Sequence, residues 1–579
     1  MGVSLEEKVV RLELLHRVGV ALSAEKNKDR LLEMILLEAK KLCNADGGTL
    51  YLRTDDDELR FAIMMTDSLG IALGGTTGKA IDLPNIPMFD PETGEPNKSN
   101  VATCAAVMRA SVNIPDAYDA TGFDFTGTKA FDAKAGYRSK SFLTIPLVNG
   151  EGRVIGVLQL LNSKSTDGEV IAFDPEEQRI VEALASQAAV ALDNQMLLEG
   201  QRQLLESFIQ MIAAAIDSKS PYTGAHCERV PILTLMLARA ACKASEGKFA
   251  AFELSEDEWY ELKIAAWLHD CGKVTTPVHI MDKATKLETI WDRIDAVRTR
   301  VAVIERELEI ELLRAEAKGE AGARERYEQE VAALRDDLAF LEHANIGSEF
   351  LPPEAQERIR TIGERTWGER GERRKLLDDD EIANLQISRG TLTEEERLVI
   401  NGHMVQTIQM LEALPFPRHL QRVPEYAGGH HEKMDGGGYP KGIYAGDMSV
   451  PARMMAIADV FEALTAQDRP YKQGKTLSES IRIMGFMKKD NHLDPDLLDL
   501  FITSGVYKKY ADKYLPPHLI DEVDEQSILD IQPKPFDLPS DHVRHLRFRG
   551  FLKKYESLRS SVMGEIGQLA KVDQTADTD

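Results

Sequence analysis

The stretch Leu262-Lys263-Ile264-Ala265-Ala266-Trp267-Leu268-His269-Asp270-Cys271-Gly272-Lys273 decides how the rest of the chain is read. Its first seven residues form an apolar run suited to a buried helix. His269 and Asp270 follow at the helix end. Adjacent imidazole and carboxylate donors there can both bind metal, and the carboxylate is free to bridge two ions. Lys273 follows one helical turn later. Taken alone the motif is weak, since a histidine on a helix more often packs or faces solvent than ligates.

Four further segments strengthen it. His226 stands in Tyr222-Thr223-Gly224-Ala225-His226, and His403 closes Leu392 to His403. His430-His431 precede Glu432-Lys433-Met434-Asp435-Gly436-Gly437-Gly438-Tyr439-Pro440. Asp459 interrupts the apolar run Ala452 to Leu464, where an unpaired carboxylate is costly to bury and calls for a metal or cation. Five patterned segments rich in imidazole and carboxylate make coincidence a poor account. Mixed nitrogen and oxygen ligation suits iron, manganese or zinc.

These segments resemble the HD-GYP family of the HD phosphohydrolase superfamily, over roughly Ser207 to Lys283 and Leu392 to Phe501. The carriers are His269-Asp270-x-Gly272-Lys273, then His430 to Pro440, then Asp459-Val460-Phe461-x-Ala463-Leu464-Thr465 and Arg469-Pro470-Tyr471-Lys472. The resemblance implies an all-helical domain with two divalent metal ions, iron or manganese, that hydrolyses cyclic di-GMP, or cyclic GMP-AMP, to a linear dinucleotide or GMP. Carried over by position, it assigns one ion to His226, His269, Asp270 and Asp459. It assigns the second to Asp270, His403, His430 and His431, so Asp270 bridges. The catalytic residues expected are Asp270 and Lys273, the lysine steadying phosphate or protonating the leaving oxygen.

Substrate contacts are expected from Gly438, whose lack of a side chain admits the ligand, and from Tyr439, stacking on a guanine. Arg453, Arg469 and Lys472 are expected on the phosphates, although Arg453 equally suits pairing with an acidic neighbour. Members of the family with three metals carry Glu four residues before the first ligand; Tyr222 stands there, so two metals are expected. Lys433-Met434 replaces the family's Arg-Trp.

The 579-residue chain is long enough for two or three domains. Its formal charge of −25 argues against a nucleic-acid polymer as partner. Five scattered cysteines without a CxxC point to a reducing cytoplasm. No apolar run long enough to span a membrane occurs, and the start lacks the order of a secretory signal.

The first third reads as α+β with an antiparallel sheet. A helix is expected over Leu12–Cys43. Strand-like runs cover Gly48–Arg53, Leu59–Met64, Ser141–Val148 and Val154–Leu161, the last two flanking a hairpin signal at Asn149-Gly150-Glu151-Gly152. With Asn113 to Tyr118, Leu160 to Lys164 and Phe173, this segment resembles a GAF sensor domain. Nucleotide-binding members carry Asn-Lys and Phe-x-x-x-Asp-Glu. Here Ser163 separates Asn162 from Lys164, and Phe173 leads to Glu177-Gln178, so the GAF ligand is left unknown.

A helix is expected from Asp174 to Asp217. Leu184, Ala191, Leu198, Leu205 and Ile212 recur every seventh residue beside a second column, Val190, Leu197, Leu204 and Met211. Such a stripe asks for a partner helix and implies a homodimer. Residues 284–390 read as a helical-hairpin insertion, with Trp367 to Asp380 as loop and no chemistry. Expected boundaries are thus 1–195 sensor, 196–217 linker, 218–283 and 391–510 catalytic, 284–390 insertion, and 511–579 tail, with a helix between Asp541 and Leu569. A competing reading is a receptor or scaffold that binds cyclic dinucleotide with little turnover.

Overall fold

The computed structural model describes residues 5–219, 226–347, 350–368, 373–467, 474–537, 543 and 547–558. The chain divides into two compact units, Met1–Leu205 and Glu206–Asp579.

Unit one is an antiparallel sheet faced by helices. Its strands are β1 (Ala45–Arg53), β2 (Glu58–Thr66), β3 (Ile71–Gly74), β4 (Ile86–Pro87), β5 (Val112–Ile114), β6 (Phe142–Val148), β7 (Val154–Lys164) and β8 (Val170–Ile171). The order is β3-β2-β1-β7-β6-β5, with β4 on β2 and β8 on β7. The β6–β7 hairpin turns where the Asn-Gly signal stands, with Gly152 in the left-handed region at φ 76°. The short strands β3, β4, β5 and β8 escaped the sequence reading because two to four residues carry no alternation to detect.

The helix expected over Leu12–Cys43 is two helices, Leu5–Ala24 and Lys28–Leu42. Asn27 breaks it by taking an extended backbone and accepting the Arg30 amide, an N-cap that costs the first helix its continuation. The second helix buries Leu31, Leu32, Ile35 and Leu36 against the sheet. Each such side chain contributes about 1.5–3 kcal/mol relative to exposure.

Helix Pro175–Lys219 is continuous over 45 residues. The two heptad columns fare differently along it. Leu184 and Ala191 are buried in unit one's own core, so the first column is not one seam. The second column stays outside: Val190, Leu197, Leu204 and Met211 are 51–59% exposed.

Unit two is helical around one large core. Helices His226–Cys242, Glu256–Leu268, His403–Glu412, Val423–Gly428 and Val450–Thr465 pack on one another. Capping boxes at Ser255/Glu258 and Thr393/Glu396 set two of the helix starts. Helices Ile294–Ala317 and Ala323–Ile346 form an antiparallel hairpin around a separate core that includes Val301, Leu334 and Leu341. That core also takes Ile359 and Leu377. Buried Lys283 ties this region to the following helix, its Nζ 2.9 Å from both Asn384 Oδ1 and Glu396 Oε1. The segment expected as loop after it contains a two-residue strand pair, Thr366–Trp367 with Arg374–Lys375, and a helix starts at Asp379. Residues 547–558 are helical, within the tail helix expected. No described helix is long and apolar enough to cross a membrane.

Candidate metal centre

Four helix ends and one helix middle converge on a single buried spot. His269 caps Glu256–Leu268 and Asp270 follows it. His226 and His403 each begin a helix. His430 and His431 follow Val423–Gly428, and Asp459 projects from the middle of Val450–Thr465. Placing donors at helix ends lets a bundle keep its apolar faces while the ends turn inward.

The ring orientations have local causes. Nδ1 of His269, His403 and His430 lies 2.8, 2.6 and 2.7 Å from the carbonyl oxygen three residues earlier, that of Ala266, Ile400 and Ala427. A carbonyl only accepts, so each Nδ1–H donates and each Nε2 is left with its lone pair. His226 is held differently, with Nδ1 against Glu462 Oε2. Glu462 Oε1 in turn accepts from Arg229 Nε at 2.6 Å. Neither Glu462 nor Arg229 was singled out from the sequence. The available signal was the spacing of Glu462 three residues after Asp459, which puts both on one helix face.

Asp270 sits between two groups. Its Oδ2 is 3.3 Å from His226 Nε2 and 3.2 Å from His269 Nε2. Its Oδ1 is 3.2 Å from His403 Nε2 and 4.0 Å from His430 Nε2. Asp459 Oδ1 lies 3.3 Å from His226 Nε2 and 3.9 Å from His269 Nε2. Two sets of donors result, His226/His269/Asp270/Asp459 and Asp270/His403/His430/His431, and within each the donor atoms lie within 4.8 Å of one another. Either set is able to hold a metal ion.

Nε2 of His226, His269, His403 and His430, and Oδ1 of Asp270, are buried without a hydrogen-bond partner among the described residues. Buried polar atoms are normally satisfied, so five orphans divided between the two donor sets fit metal ions that they would ligate. Burial and the neighbouring His269 hold His430 down at about 4, the neutral form a ligand needs. Burial opposes ionisation of Asp459, yet His226 beside it outweighs burial and keeps the carboxylate well below its usual range.

Lys273 Nζ lies 2.5 Å from Asp270 Oδ2. Gly272 is required by packing: a Cβ there would stand 2.0 Å from the His403 carbonyl oxygen. Its amide donates to Thr407 Oγ1 at 2.9 Å, locking the His269–Lys273 turn to the His403 helix. The loop holding Lys273 is also tied to the long helix, since Lys219 Nζ donates to the carbonyls of Lys273 at 3.3 Å and Thr276 at 2.6 Å.

The other expected contacts divide. Tyr439 stands at the site, its ring parallel to His431 with centroids 4.8 Å apart. Gly438 serves the loop itself, because a Cβ would lie 2.4 Å from Glu432 Cα and from Lys433 N. Arg453 is committed elsewhere: its Nη1 is 2.5 Å from buried Asp494 Oδ2. It also stands six residues before Asp459, about 120° away around the helix. Arg469, Lys472 and Tyr222 lie outside the described residues.

Two family models match the chain. The HD domain model matches residues 380–497, and the GAF domain model matches residues 27–192. The chain joins a GAF domain to an HD domain. A 3'3'-cGAMP-specific phosphodiesterase of Vibrio cholerae is 39% identical over 116 residues, 20% of this chain and 26% of that protein. A cyclic di-GMP phosphodiesterase of Pseudomonas aeruginosa is 36% identical over 134 residues, 23% of this chain and 30% of that protein. The chain thus spans under a third of the length of these relatives. A solved GAF domain from an Acinetobacter phosphoenolpyruvate-protein phosphotransferase aligns over 98% of its own length with 33% of this chain, at 12% identity and TM-score 0.25.

Proposed function

We propose that this protein is a metal-dependent phosphodiesterase that hydrolyses cyclic di-GMP or the related cyclic GMP-AMP. The observation that carries this reading is the bridging carboxylate. Asp270 presents one oxygen to His226 and His269 and the other to His403 and His430. In this reading His226, His269, Asp270 and Asp459 hold one divalent ion and Asp270, His403, His430 and His431 the other. Iron and manganese suit the all-nitrogen-and-oxygen donor set. The names of the matched relatives suggest the substrate class.

Bound there, two divalent ions would supply an activated water and neutralise charge on the phosphodiester. The chain's own residues do the rest. Lys273 stays protonated: burial pulls its pKa down, but Asp270 and Asp459 outweigh burial and raise it. In this reading its Nζ supplies the proton to the leaving ribose oxygen. Glu462 fixes the His226 ring, and Arg229 fixes Glu462. Tyr439, backed by His431, offers a ring face to a purine.

We also propose residues 1–195 as the sensor, 196–217 as the linker, 218–283 and 391–510 as the catalytic domain, 284–390 as its insertion and 511–579 as the tail. The exposed column Val190, Leu197, Leu204 and Met211 supports a parallel homodimer through the linker. The GAF domain would then regulate turnover through that helix, whose Lys219 holds the Lys273 loop.

The test is turnover of cyclic di-GMP and cyclic GMP-AMP by protein reconstituted anaerobically with iron(II) or manganese(II). Metal-dependent cleavage by the wild type, lost in Asp270→Ala together with bound metal, is the expected result. Binding of nucleotide without cleavage under either metal would replace this reading by that of a receptor.

A further inference from the structure

The helix 547–558 lies against the candidate metal centre, and nothing in the metal chemistry requires it there. Tyr555 is buried on Gly402, the residue before His403, so closely that a Cβ on Gly402 would stand 2.0 Å from the Tyr555 ring. One turn earlier on the same helix face, Phe551 lies parallel to Tyr439, with an 18° interplanar angle and centroids 6.5 Å apart. Tyr439 is the ring that also stacks on His431.

That spacing is informative. Stacked carbon layers separate by about 3.5–4 Å, so a planar ring between two others needs about 7 Å. The Tyr439 and Phe551 rings are near parallel with centroids 6.5 Å apart, so their planes are no further apart than that and a base entering between them has to part them slightly. Tyr439–His431, at 4.8 Å, is a closed stack by comparison. Charge points the same way. In a chain of net charge −25, residues 544–554 carry Arg544, Arg547, Arg549, Lys553 and Lys554 and no acidic residue. Arg547, Arg549, Lys553 and Lys554 are exposed on the described helix. A basic helix docked beside a metal centre favours an anionic substrate and would be an odd plug for an empty one.

We propose that Phe551 and Tyr439 form an aromatic clamp for one purine of the substrate, with helix 547–558 as a positioning element of the binding site. The proposal rests on the cyclic-dinucleotide reading above. Phe551 works through affinity: it holds a base that the metal chemistry never touches, so its removal acts on KM and leaves the reacting phosphate in place. A ring of either aromatic type serves; an aliphatic side chain of similar volume does not, because stacking needs a flat face.

The experiment compares full-length wild type, Phe551→Ala, Phe551→Leu and Phe551→Tyr, each checked for an unchanged melting temperature and metal content. KM and kcat for cyclic di-GMP are measured with manganese(II), and binding of cyclic di-GMP is measured by calorimetry. Phe551→Ala and Phe551→Leu are expected to raise KM about tenfold, the loss of one base–aromatic stack, with kcat within about twofold. Phe551→Tyr is expected to restore KM. Unchanged KM in Phe551→Ala, with an active wild type, overturns the clamp alone. Increased turnover in Phe551→Ala also overturns it and makes the helix an inhibitory cap. If the wild type binds cyclic di-GMP without cleaving it, the catalytic reading fails, and weaker binding by Phe551→Ala still supports the clamp. A wild type that neither cleaves nor binds overturns both.

Discussion

The protein contains two buried polar clusters built from similar parts, and they end in opposite states. In the GAF domain, Asp46 accepts from Ser68 Oγ at 2.6 Å and Tyr137 Oη at 2.7 Å and pairs with Lys164. Asn162 accepts from the Lys140 amide at 2.7 Å and donates to Tyr137 Oη and the Arg138 carbonyl, both at 2.8 Å. Each polar atom finds a partner within the domain. In the HD domain, four imidazole nitrogens and a carboxylate oxygen point at one place and find none among the described residues. The first cluster is a fastener. The second is half of a bond whose other half comes from outside the chain. Degree of satisfaction, more than residue type, separates a structural polar core from a binding site.

The contrast also explains the degenerate nucleotide motif of the GAF domain. Asn162, at φ 53°, and Lys164 are spent inside the fold, one on the β6 start and the other on Asp46. Asn113 differs: its Nδ2 donates to the Phe173 carbonyl at 3.2 Å and Gln178 Oε1 at 3.1 Å, while its Oδ1 is buried without a partner among the described residues.

The largest test of the comparison is Lys273→Met. Removing the ammonium beside Asp270 should lower kcat about 10²-fold while leaving metal content intact, as measured by steady-state kinetics beside elemental analysis. Loss of metal together with activity would make Lys273 part of the fastening instead.

Next is Glu462→Gln, which keeps the shape and removes the charge behind His226. Metal affinity or activity should fall about 10–100-fold, read from metal titration. Unchanged affinity would mean that His226 is oriented by packing alone.

In the GAF cluster the opposite pattern is expected. Asp46→Ala should destabilise that domain by about 1–3 kcal/mol, seen in denaturant unfolding, because it leaves Lys164 and Tyr137 without their partner. The metal content of the HD domain should not change.

The smallest effect concerns Lys286 of the insertion. It is buried, its Nζ donates to the Leu385 carbonyl at 2.9 Å, and burial pulls it down to about 8. The unfolded chain keeps this proton to about pH 10.4. Between those values the unfolded state binds more protons, so this group's contribution to stability rises with pH. The melting temperature of the wild type should therefore gain on that of Lys286→Met from pH 8 to 10.4. A constant difference would place the lysine in contact with water.

Much of the HD site was legible in the sequence because its donors sit at helix ends within short motifs. An apolar run followed by His269-Asp270, or Asp459 set among Met455, Ile457 and Phe461, violates local patterning in a way only a ligand or a cation repairs. The hairpin at Asn149–Gly152 was legible because only a few residues accept its backbone angles. The break at Asn27 was less so, since the apolar spacing runs on across it.

What the sequence by itself determined is therefore local: helix and strand types, caps, turns, and which residues are chemically out of place. Tertiary structure alone decided the pairings between distant segments. It turned Arg453 to Asp494, set Glu462 behind His226, closed Gly438 on the Glu432 backbone, and laid Phe551 beside Tyr439. The physical reason is that a side chain's partner across a fold depends on how whole helices pack, and that packing is set by many weak apolar contacts summed over the core. No single motif records it.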